Sequence, residues 1–378
     1  MGKIAVQAPQ APDRAPQAAD HCTLVQDQES QGGGVSRERA VSRHGVSRNG
    51  VPQGRDGFRE RVAHLEDLAR AANASGRLGV RLCGIDIDNP VIPASGTFGY
   101  GYEFADIFDI NVLGSFSFKG TTSEVRFGNE QHRIAECSAG MINSVGLQNP
   151  GVEAVLEREL PLLAKAGYSK VVMANVSGFS IDEYVRVSQA LDAEPQVGWI
   201  ELNVSCPNVH GGGLTFGQDP RAAEQVVSAV KAVVRKPLIV KLSPNVTDIA
   251  AIARACAQAG ADGLSLINTL LAERIDLRSR KPVIARRDGG FSGPAVFPVA
   301  VRMVDTVCRA VDIPVAGIGG VSCARDVVEM MMAGASAVQV GTANLVDPLA
   351  SLRIVAQLPT VMDELGIDAL ADVIGAAL

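Results

Sequence analysis

The stretch DPRAAEQVVSAVKAVVRKPLIVKLS, residues 219–243, joins a helical pattern directly to a strand pattern. An acidic residue and a proline open it, as is typical of a helix start. The apolar positions that recur at helical spacing are Ala222, Val226, Val227 and Val230. A short apolar run follows and ends near Lys241. A helix that leads into an apolar strand in this way is typical of a parallel sheet.

Seven more apolar runs of this kind occur along the chain, and amphipathic helical patterns lie between several of them. The eight runs are NPVIPASG (89–96), VLGSFSFKG (112–120), KVVMANVSG (170–178), WIELNVS (199–205), PLIVKLS (237–243), GLSLINT (263–269), IPVAGIGG (313–320) and AVQVGT (337–342). Eight strands in about 300 residues predict an α/β fold, a closed (β/α)8 TIM barrel. A doubly wound open sheet is the alternative, but no GxGxxG follows the first strand.

The chain before the first strand has a different character. Residues 1–55 are rich in Gln, Ala, Pro, Ser and Arg and contain VSR three times, which predicts a disordered N-terminal extension. Residues 56–78 predict a short helix. The residues of its expected apolar face are Phe58, Val62, Leu65 and Leu68. The barrel is then expected over residues 79–378.

Composition narrows the class of protein. The net charge of −6 argues against a nucleic-acid partner, because phosphates require a basic surface. Seven cysteines without a CxxC motif indicate a reduced, cytoplasmic chain with no disulfide framework, zinc site or iron–sulfur cluster of its own. No apolar run reaches the roughly 18–20 residues of a membrane span.

Polar residues and glycines follow every predicted strand. In a barrel, the carboxyl ends of the strands meet at one face, and the active site lies there. The residues at these ends are Ser95, Lys119, Asn175, Asn203 with Cys206, Lys241, Asn268 with Thr269, Gly319 with Gly320, and Gly341 with Thr342. The sequence therefore predicts one site to which eight strand ends contribute.

The residue types indicate the chemistry of this site. Glycines after the last two strands favour a phosphate site, although tight turns also use glycine. Lys119 and Lys241 end apolar strands, where each suits either a Schiff base or a positive charge beside a cofactor such as a flavin. Amide side chains around the same mouth favour a planar polar ring. They are Asn143, Asn175, Asn203 and Asn268.

Cys206 lies just past a strand end, in the polar, glycine-rich segment SCPNVHGGG. A free cysteine is most often a small buried hydrophobe, but this setting favours catalysis. Covalent thiol catalysis requires an adjacent histidine. The only histidine near Cys206 in sequence is His210, four residues further on, and no other histidine is well placed. The pattern therefore favours a cysteine that acts as a base without histidine.

Together, ASGTFG, KGTTSEVRFGN, MINSVGLQNPG, ELNVSCPNVHGGGLTFG, VKLSPN, LINTLL, GGFSGPA, GIGG and VGTAN identify a family resemblance. Over about residues 79–350 the chain resembles the dihydroorotate dehydrogenases, and among them the NAD-linked class 1B catalytic subunits. The resemblance implies an FMN-containing barrel that oxidises (S)-dihydroorotate to orotate in pyrimidine biosynthesis. Cys206 would remove the C5 proton while a hydride passes from C6 to flavin N5.

The resemblance also assigns binding residues. Those expected to hold FMN are Ser95, Lys119, Gly120, Asn175, Asn203, Lys241, Ile267, Gly293, Gly319, Gly320, Gly341 and Thr342. Those expected to hold dihydroorotate are Lys119, Asn143, Ser144, Val145, Gly146, Leu147, Asn203, Asn268 and Thr269. No residue is expected to bind a metal.

The class 1B resemblance further implies a partner subunit that carries FAD and a 2Fe–2S cluster and passes electrons to NAD. It implies a homodimer core within a heterotetramer. Two alternatives stay open at this point. One is the fumarate-linked class 1A enzyme, and the other is a phosphate-binding barrel lyase that uses Lys241 as a Schiff base.

Overall fold

A computed structural model describes residues 55–205 and 216–378. The predicted N-terminal extension, except its last residue, and Cys206 lie outside this part. The described helices are α1 Arg55–Ala74, α2 Tyr102–Ala105, α3 Val152–Ala154, α4 Leu160–Lys165, α5 Ile181–Asp192, α6 Pro220–Lys231, α7 Ile249–Gln258, α8 Phe297–Cys308, α9 Ala324–Met332, α10 Ala343–Val346 and α11 Ala350–Leu365. Of these helices, none has the length and apolar character needed to cross a bilayer.

The described strands alternate with the helices along much of the chain. They are β1 Val80–Leu82, β2 Ile85–Ile87, β3 Val91–Pro93, β4 Ile134–Cys137, β5 Gly140–Asn143, β6 Val172–Val176, β7 Val197–Asn203, β8 Leu238–Lys241, β9 Gly263–Leu266, β10 Leu270–Glu273, β11 Ile275–Asp276, β12 Lys281–Pro282, β13 Asp288–Ser292, β14 Val315–Ile318 and β15 Ala337–Val340. Short 3-10 turns cover Ile110–Val112, Phe216–Gln218, Pro294–Val296 and Leu370–Val373, and a π-helical turn covers Val155–Glu159.

One parallel sheet forms the centre of the fold. Its strands follow the order β3-β15-β14-β9-β8-β7-β6, and each neighbouring pair is parallel. A helix connects each sequential pair from β6 to β15, as parallel neighbours require. Seven of the eight predicted runs overlap a strand of this sheet. The strands are buried, so their apolar runs are nearly continuous rather than alternating.

The eighth run closes the sheet into a barrel. In the segment 114–121, the Ser117 amide donates to the carbonyl of Pro93 on β3 at 2.9 Å. The Phe118 amide donates to the carbonyl of Met173 on β6 at 3.1 Å. The segment makes isolated parallel bridges to β6, so the prediction of a regular strand is wrong for this run. Its backbone bonds β3 on one side and β6 on the other, and the (β/α)8 prediction is confirmed.

Two predicted helix faces need correction. On α6 the buried alanine is Ala223, and Ala222 is only half-buried. On α1, Phe58 and Leu68 are 39% and 43% exposed. Val62 and Leu65 pack in the core as predicted, and Ala69 and Ala72 complete the face that α1 buries. This set follows the helical period one turn further toward the C-terminus than the predicted face, and α1 packs against α11.

A second, antiparallel sheet contributes to one face of the barrel. Its strand order is β10-β13-β5-β4. β4 and β5 belong to the connection between the segment 114–121 and β6, whereas β10 and β13 belong to the connection between β9 and β14. We call this sheet the roof. It was not predicted, because its strands are short and mostly half-exposed and thus lack the apolar runs of the barrel.

Candidate functional site

A cavity of about 950 Å³ lies where the carboxyl ends of the barrel strands meet the roof. Of the twenty residues that the sequence assigned to a site, eighteen line it. They are Ser95, Lys119, Gly120, Asn143, Ser144, Val145, Gly146, Leu147, Asn175, Asn203, Lys241, Ile267, Asn268, Thr269, Gly319, Gly320, Gly341 and Thr342. Cys206 lies outside the described residues, but its neighbour Ser205 lines the same cavity.

Gly293 does not line the cavity, although the sequence placed it among the cofactor-binding residues. It adopts φ +113, and an added Cβ would lie 2.5 Å from the Cα of Gly140. Gly293 therefore allows two backbone segments to approach closely. Its neighbour Ser292 does line the cavity, and its hydroxyl accepts a hydrogen bond from Thr342 Oγ1 at 2.7 Å.

A carboxylate occupies the barrel interior next to this cavity. Glu201 on β7 is fully buried and is not among the lining residues. Each of its two carboxylate oxygens accepts two hydrogen bonds. The donors are Ser117 Oγ at 2.8 Å, Asn175 Nδ2 at 2.6 Å, Ser265 Oγ at 2.8 Å and Gln339 Nε2 at 2.7 Å. We call Glu201 and these four donors the polar layer.

Lys241 connects the polar layer to the cavity. Its Nζ lies 3.9 Å from Glu201 Oε2 and 3.4 Å from Ser95 Oγ. Burial would raise the pKa of Glu201, but the charge of Lys241 and hydrogen bonds from the polar layer outweigh burial and lower it. Glu201 is therefore an ionised group at neutral pH, and it balances the charge of Lys241.

Lys119 is the second lysine in the cavity, and its setting differs. Among the described residues no carboxylate lies within ion-pair distance of it. Burial lowers the pKa of Lys119, and the positive charge of Arg133 lowers it further. A half-buried cation without a counter-ion among the described residues favours an anionic ligand, because that ligand would supply the missing charge.

Amide side chains join the ends of β7 and β9. Asn268 Nδ2 lies 3.1 Å from both Asn203 Oδ1 and Ser205 Oγ. Asn203 in turn donates to Ser177 Oγ at 3.2 Å, and its carbonyl accepts from the hydroxyl of Tyr184 at 2.6 Å. The cluster presents amide donors and acceptors at one place in the cavity, as recognition of a ring with alternating N–H and C=O groups requires.

Glycines form the part of the cavity that follows β14 and β15. Gly319 and Gly320 adopt φ +128 and +76. A Cβ at Gly320 would lie 2.6 Å from the amide nitrogen of Phe297, where α8 begins. Only glycine fits here without a shift of the backbone. This turn and Gly341 leave the backbone open to the cavity, which is a cradle suited to a phosphate.

Sequence reasoning missed Glu201 and three of its four donors, all but Asn175, and it missed two arginines, Arg126 and Arg286, that line the cavity. Arg126 lines the cavity, and its guanidinium lies 4.3 Å from the centre of the Phe179 ring. Arg126 lies beyond the strand end at Lys119 and belongs to no periodic pattern in the sequence. Glu201 could have been recognised from the sequence, since Glu201 and Asn203 are two apart in an otherwise apolar strand. Residues two apart in a strand point to the same side, which here is the barrel interior.

The fold and the cavity define a (β/α)8-barrel enzyme whose site suits an anionic, phosphate-bearing ligand and a planar ring. The family model described as dihydroorotate dehydrogenase matches residues 77–362. The chain belongs to the dihydroorotate dehydrogenase family, as the motifs predicted.

This chain matches several relatives over nearly their whole length. A protein of Cutibacterium acnes is 53% identical over 296 residues, which are 78% of this chain and 96% of that protein. A protein of Anoxybacillus flavithermus is 50% identical over 299 residues, 79% of this chain and 95% of that protein. A protein of Bacillus cytotoxicus is 52% identical over 290 residues, which are 77% of this chain and 93% of that protein. All three are named dihydroorotate dehydrogenase B (NAD(+)), catalytic subunit.

Proposed function

We propose that this chain is the catalytic subunit of an NAD-linked dihydroorotate dehydrogenase and oxidises (S)-dihydroorotate to orotate in pyrimidine biosynthesis. One observation carries the proposal. Residues from the ends of the seven sheet strands and of the segment 114–121, chosen from the sequence as FMN-binding or dihydroorotate-binding, line a single cavity in a chain of this family. We place the enzyme in the cytoplasm, as its reduced-cysteine composition indicates.

The residues present fit FMN. The volume of about 950 Å³ is that of a cofactor site, and Gly319, Gly320 and Gly341 form the cradle for the phosphate. Lys241 supplies a positive charge, while Asn175 supplies an amide that is held from behind by Glu201. When bound, FMN supplies the acceptor for the two electrons that leave the substrate.

Dihydroorotate is a carboxylate on a ring of amide groups. Lys119, which has no ion-pair partner within residues 55–205 and 216–378, would bind the carboxylate. Asn203 and Asn268 would bind the ring amides, and the segment from Asn143 to Leu147 would cover the ring from the roof side. These contacts would hold the substrate in the cavity beside the end of β7.

The C5 proton requires a base. We assign this role to Cys206, which follows the cavity-lining Ser205 directly in sequence. A thiol has a pKa near 8.5 in the absence of neighbours, so its thiolate form is accessible at mildly alkaline pH. Proton removal by Cys206 is coupled to loss of the hydride from C6, and the ring double bond of orotate forms between these two carbons.

The electrons must then leave the catalytic chain. We propose that a partner subunit with FAD and a 2Fe–2S cluster takes them and passes them to NAD, with a homodimer of this chain at the core of a heterotetramer. The names of the relatives support a partner, since they are catalytic subunits of NAD(+)-dependent enzymes. In the described part of the chain, no group of three metal-ligating side chains occurs.

The rival lyase requires Lys241 as a nucleophile. Lys241 is ion-paired with Glu201, and an ion-paired ammonium has no free electron pair with which to form a Schiff base. The ion pair therefore favours the role of a fixed positive charge. The fumarate-linked alternative differs in its electron acceptor and needs no partner subunit. An assay of the purified chain with dihydroorotate and fumarate distinguishes the two, because we expect no reduction of fumarate.

A visible spectrum of the purified chain, recorded before and after anaerobic addition of dihydroorotate, tests the proposal. We expect flavin absorption bands that bleach on addition of substrate. Folded protein without flavin bands would contradict a flavoenzyme and favour the lyase. Flavin bands that persist would contradict dihydroorotate as the substrate.

A further inference from the structure

Glu201 is unusual for the interior of a barrel. Barrel interiors are mostly filled with branched apolar side chains, and a buried ion pair stabilises a fold little compared with apolar packing. Here a fully buried carboxylate accepts hydrogen bonds from the segment 114–121, β6, β9 and β15. Four donors occupy its two oxygens, which is the full capacity of a carboxylate. The arrangement fixes a negative charge at one place.

That charge acts on the cavity through two residues. Asn175 and Lys241 both line the cavity, and both contact the same oxygen, Glu201 Oε2, at 2.6 Å and 3.9 Å. Glu201 itself does not reach the cavity wall. It is thus a positioning residue with respect to any ligand, and its charge partly cancels that of Lys241.

We propose that Glu201 sets the reduction potential of the bound flavin, because its carboxylate holds Lys241 and Asn175 in place and offsets the positive charge of Lys241. The inference rests on the proposed function, in which FMN occupies the cavity. A reduced flavin carries additional negative charge near N1 and O2. A fixed carboxylate close by therefore disfavours the reduced form and keeps the potential low.

The substitution Glu201→Gln removes the charge and keeps the shape. The polar layer can accommodate it, because the hydroxyls of Ser117 and Ser265 can turn to accept as well as donate. Gln339 Oε1 has no hydrogen-bond partner within the described chain. A flip of the Gln339 amide would let this oxygen accept from the new amide group. The variant is therefore expected to fold.

The test is an anaerobic potentiometric titration of FMN in the wild-type chain and in Glu201→Gln. We expect the ratio of reduced to oxidised flavin at a given potential to rise at least tenfold, about 30 mV for a two-electron couple. A smaller rise, no change or a fall would overturn the inference. Glu159→Gln is the matched control. Glu159 is also a buried, hydrogen-bonded carboxylate, but it does not line the cavity or contact a residue that does, and its variant should keep the wild-type potential.

A second variant covers the case in which Glu201→Gln does not fold or does not hold FMN. Glu201→Asp keeps the charge but shortens the side chain, so it should weaken FMN binding at least threefold. The ratio of reduced to oxidised flavin at a given potential should stay within threefold of the wild-type ratio. A variant with unchanged FMN affinity would overturn the positioning role. Failure of the proposed function is distinguishable, because the wild-type chain itself would then hold no flavin.

Discussion

Asn268 donates from Nδ2 to Ser205 Oγ at 3.1 Å, and this hydrogen bond joins the end of β9 to the residue that precedes Cys206. The same nitrogen lies 3.1 Å from Asn203 Oδ1, so one amide bridges two positions on the β7 side of the cavity. Asn268 thereby fixes the direction in which the chain leaves β7. If Cys206 is the base, Asn268 contributes to its placement as well as to substrate binding.

Asn268→Ala should slow reduction of the flavin by dihydroorotate about 10- to 100-fold. The variant loses three side-chain hydrogen bonds, to Asn203, Ser205 and the Thr269 amide, each worth about 1 kcal/mol, and a contact to the substrate ring. Anaerobic stopped-flow spectroscopy at the flavin bands measures the rate. Asn245→Ala is the control, because Asn245 donates to the carbonyl of Thr269, which neighbours Asn268, but does not line the cavity. Equal rates in wild type and Asn268→Ala would exclude this role.

Cys206→Ser should retain FMN and lose most turnover, because a serine hydroxyl is a poor base at neutral pH. In the wild-type chain the rate of flavin reduction should rise with pH until the thiol, with an ordinary pKa near 8.5, is deprotonated. The measurement is the rate of flavin reduction between pH 6 and 9. Cys137→Ser, on β4 and outside the cavity lining, should behave as wild type. A flat pH profile would speak against Cys206 as the base.

Orotate affinity should depend on the charge of Lys119. Burial, with a smaller contribution from Arg133, lowers the pKa of Lys119 from its ordinary 10.5. The charged form binds the carboxylate, so affinity should fall as pH rises through this lowered pKa. Titration of the flavin spectrum with orotate measures the dissociation constant at each pH. The Cys206→Ser background removes titration of the thiol from the profile.

In that background, Lys119→Met should weaken orotate binding at least about tenfold, or about 1.4 kcal/mol, and should remove the pH dependence. Lys165→Met changes an exposed lysine on α4 and should leave the affinity unaltered. Persistence of the wild-type pH profile in Lys119→Met would assign that profile to another group.

Gly320→Ala should both destabilise the chain and weaken FMN binding about tenfold or more. Its Cβ would meet the Phe297 amide nitrogen at 2.6 Å, in addition to the strain of φ +76. Gly167→Ala is matched in backbone conformation, with φ +83 and open space around its Cβ, so it should cost only about 1–2 kcal/mol. Denaturant unfolding and an FMN fluorescence titration measure the two effects. Similar FMN affinity in both variants would contradict the cradle.

The barrel strands were predictable because each is an apolar run that ends in polar or glycine residues. The strand ends located both lysines and most of the asparagines and glycines of the cavity, whereas the family resemblance added Gly120, Ile267 and the residues from Ser144 to Leu147. The pattern of apolar runs failed at the segment 114–121, where the backbone divides its hydrogen bonds between β3 and β6. This hydrogen-bond pattern depends on the positions of β3 and β6 and cannot be predicted from the amino-acid composition of the segment itself.

The roof and most of the polar layer were missed for different reasons. The roof strands pair segments that are distant in sequence and expose much of their surface, so no local periodicity marks them. Glu201 did interrupt an apolar strand, but its four donors come from four other places in the chain. Such a cluster becomes visible only when the barrel curvature brings those positions together.

The roof has a consequence for the order of events during folding. Asn143 on β5 donates to the carbonyl of Gly290 on β13 at 3.3 Å, and 147 positions separate these residues along the chain. Contacts of such long range form late, since the loop between them must be closed first. A nascent chain therefore lacks the full binding cavity until the residues beyond β13 have been synthesised. Acquisition of the cofactor belongs to the finished polypeptide, and flavin content reports how much of a preparation has reached that state.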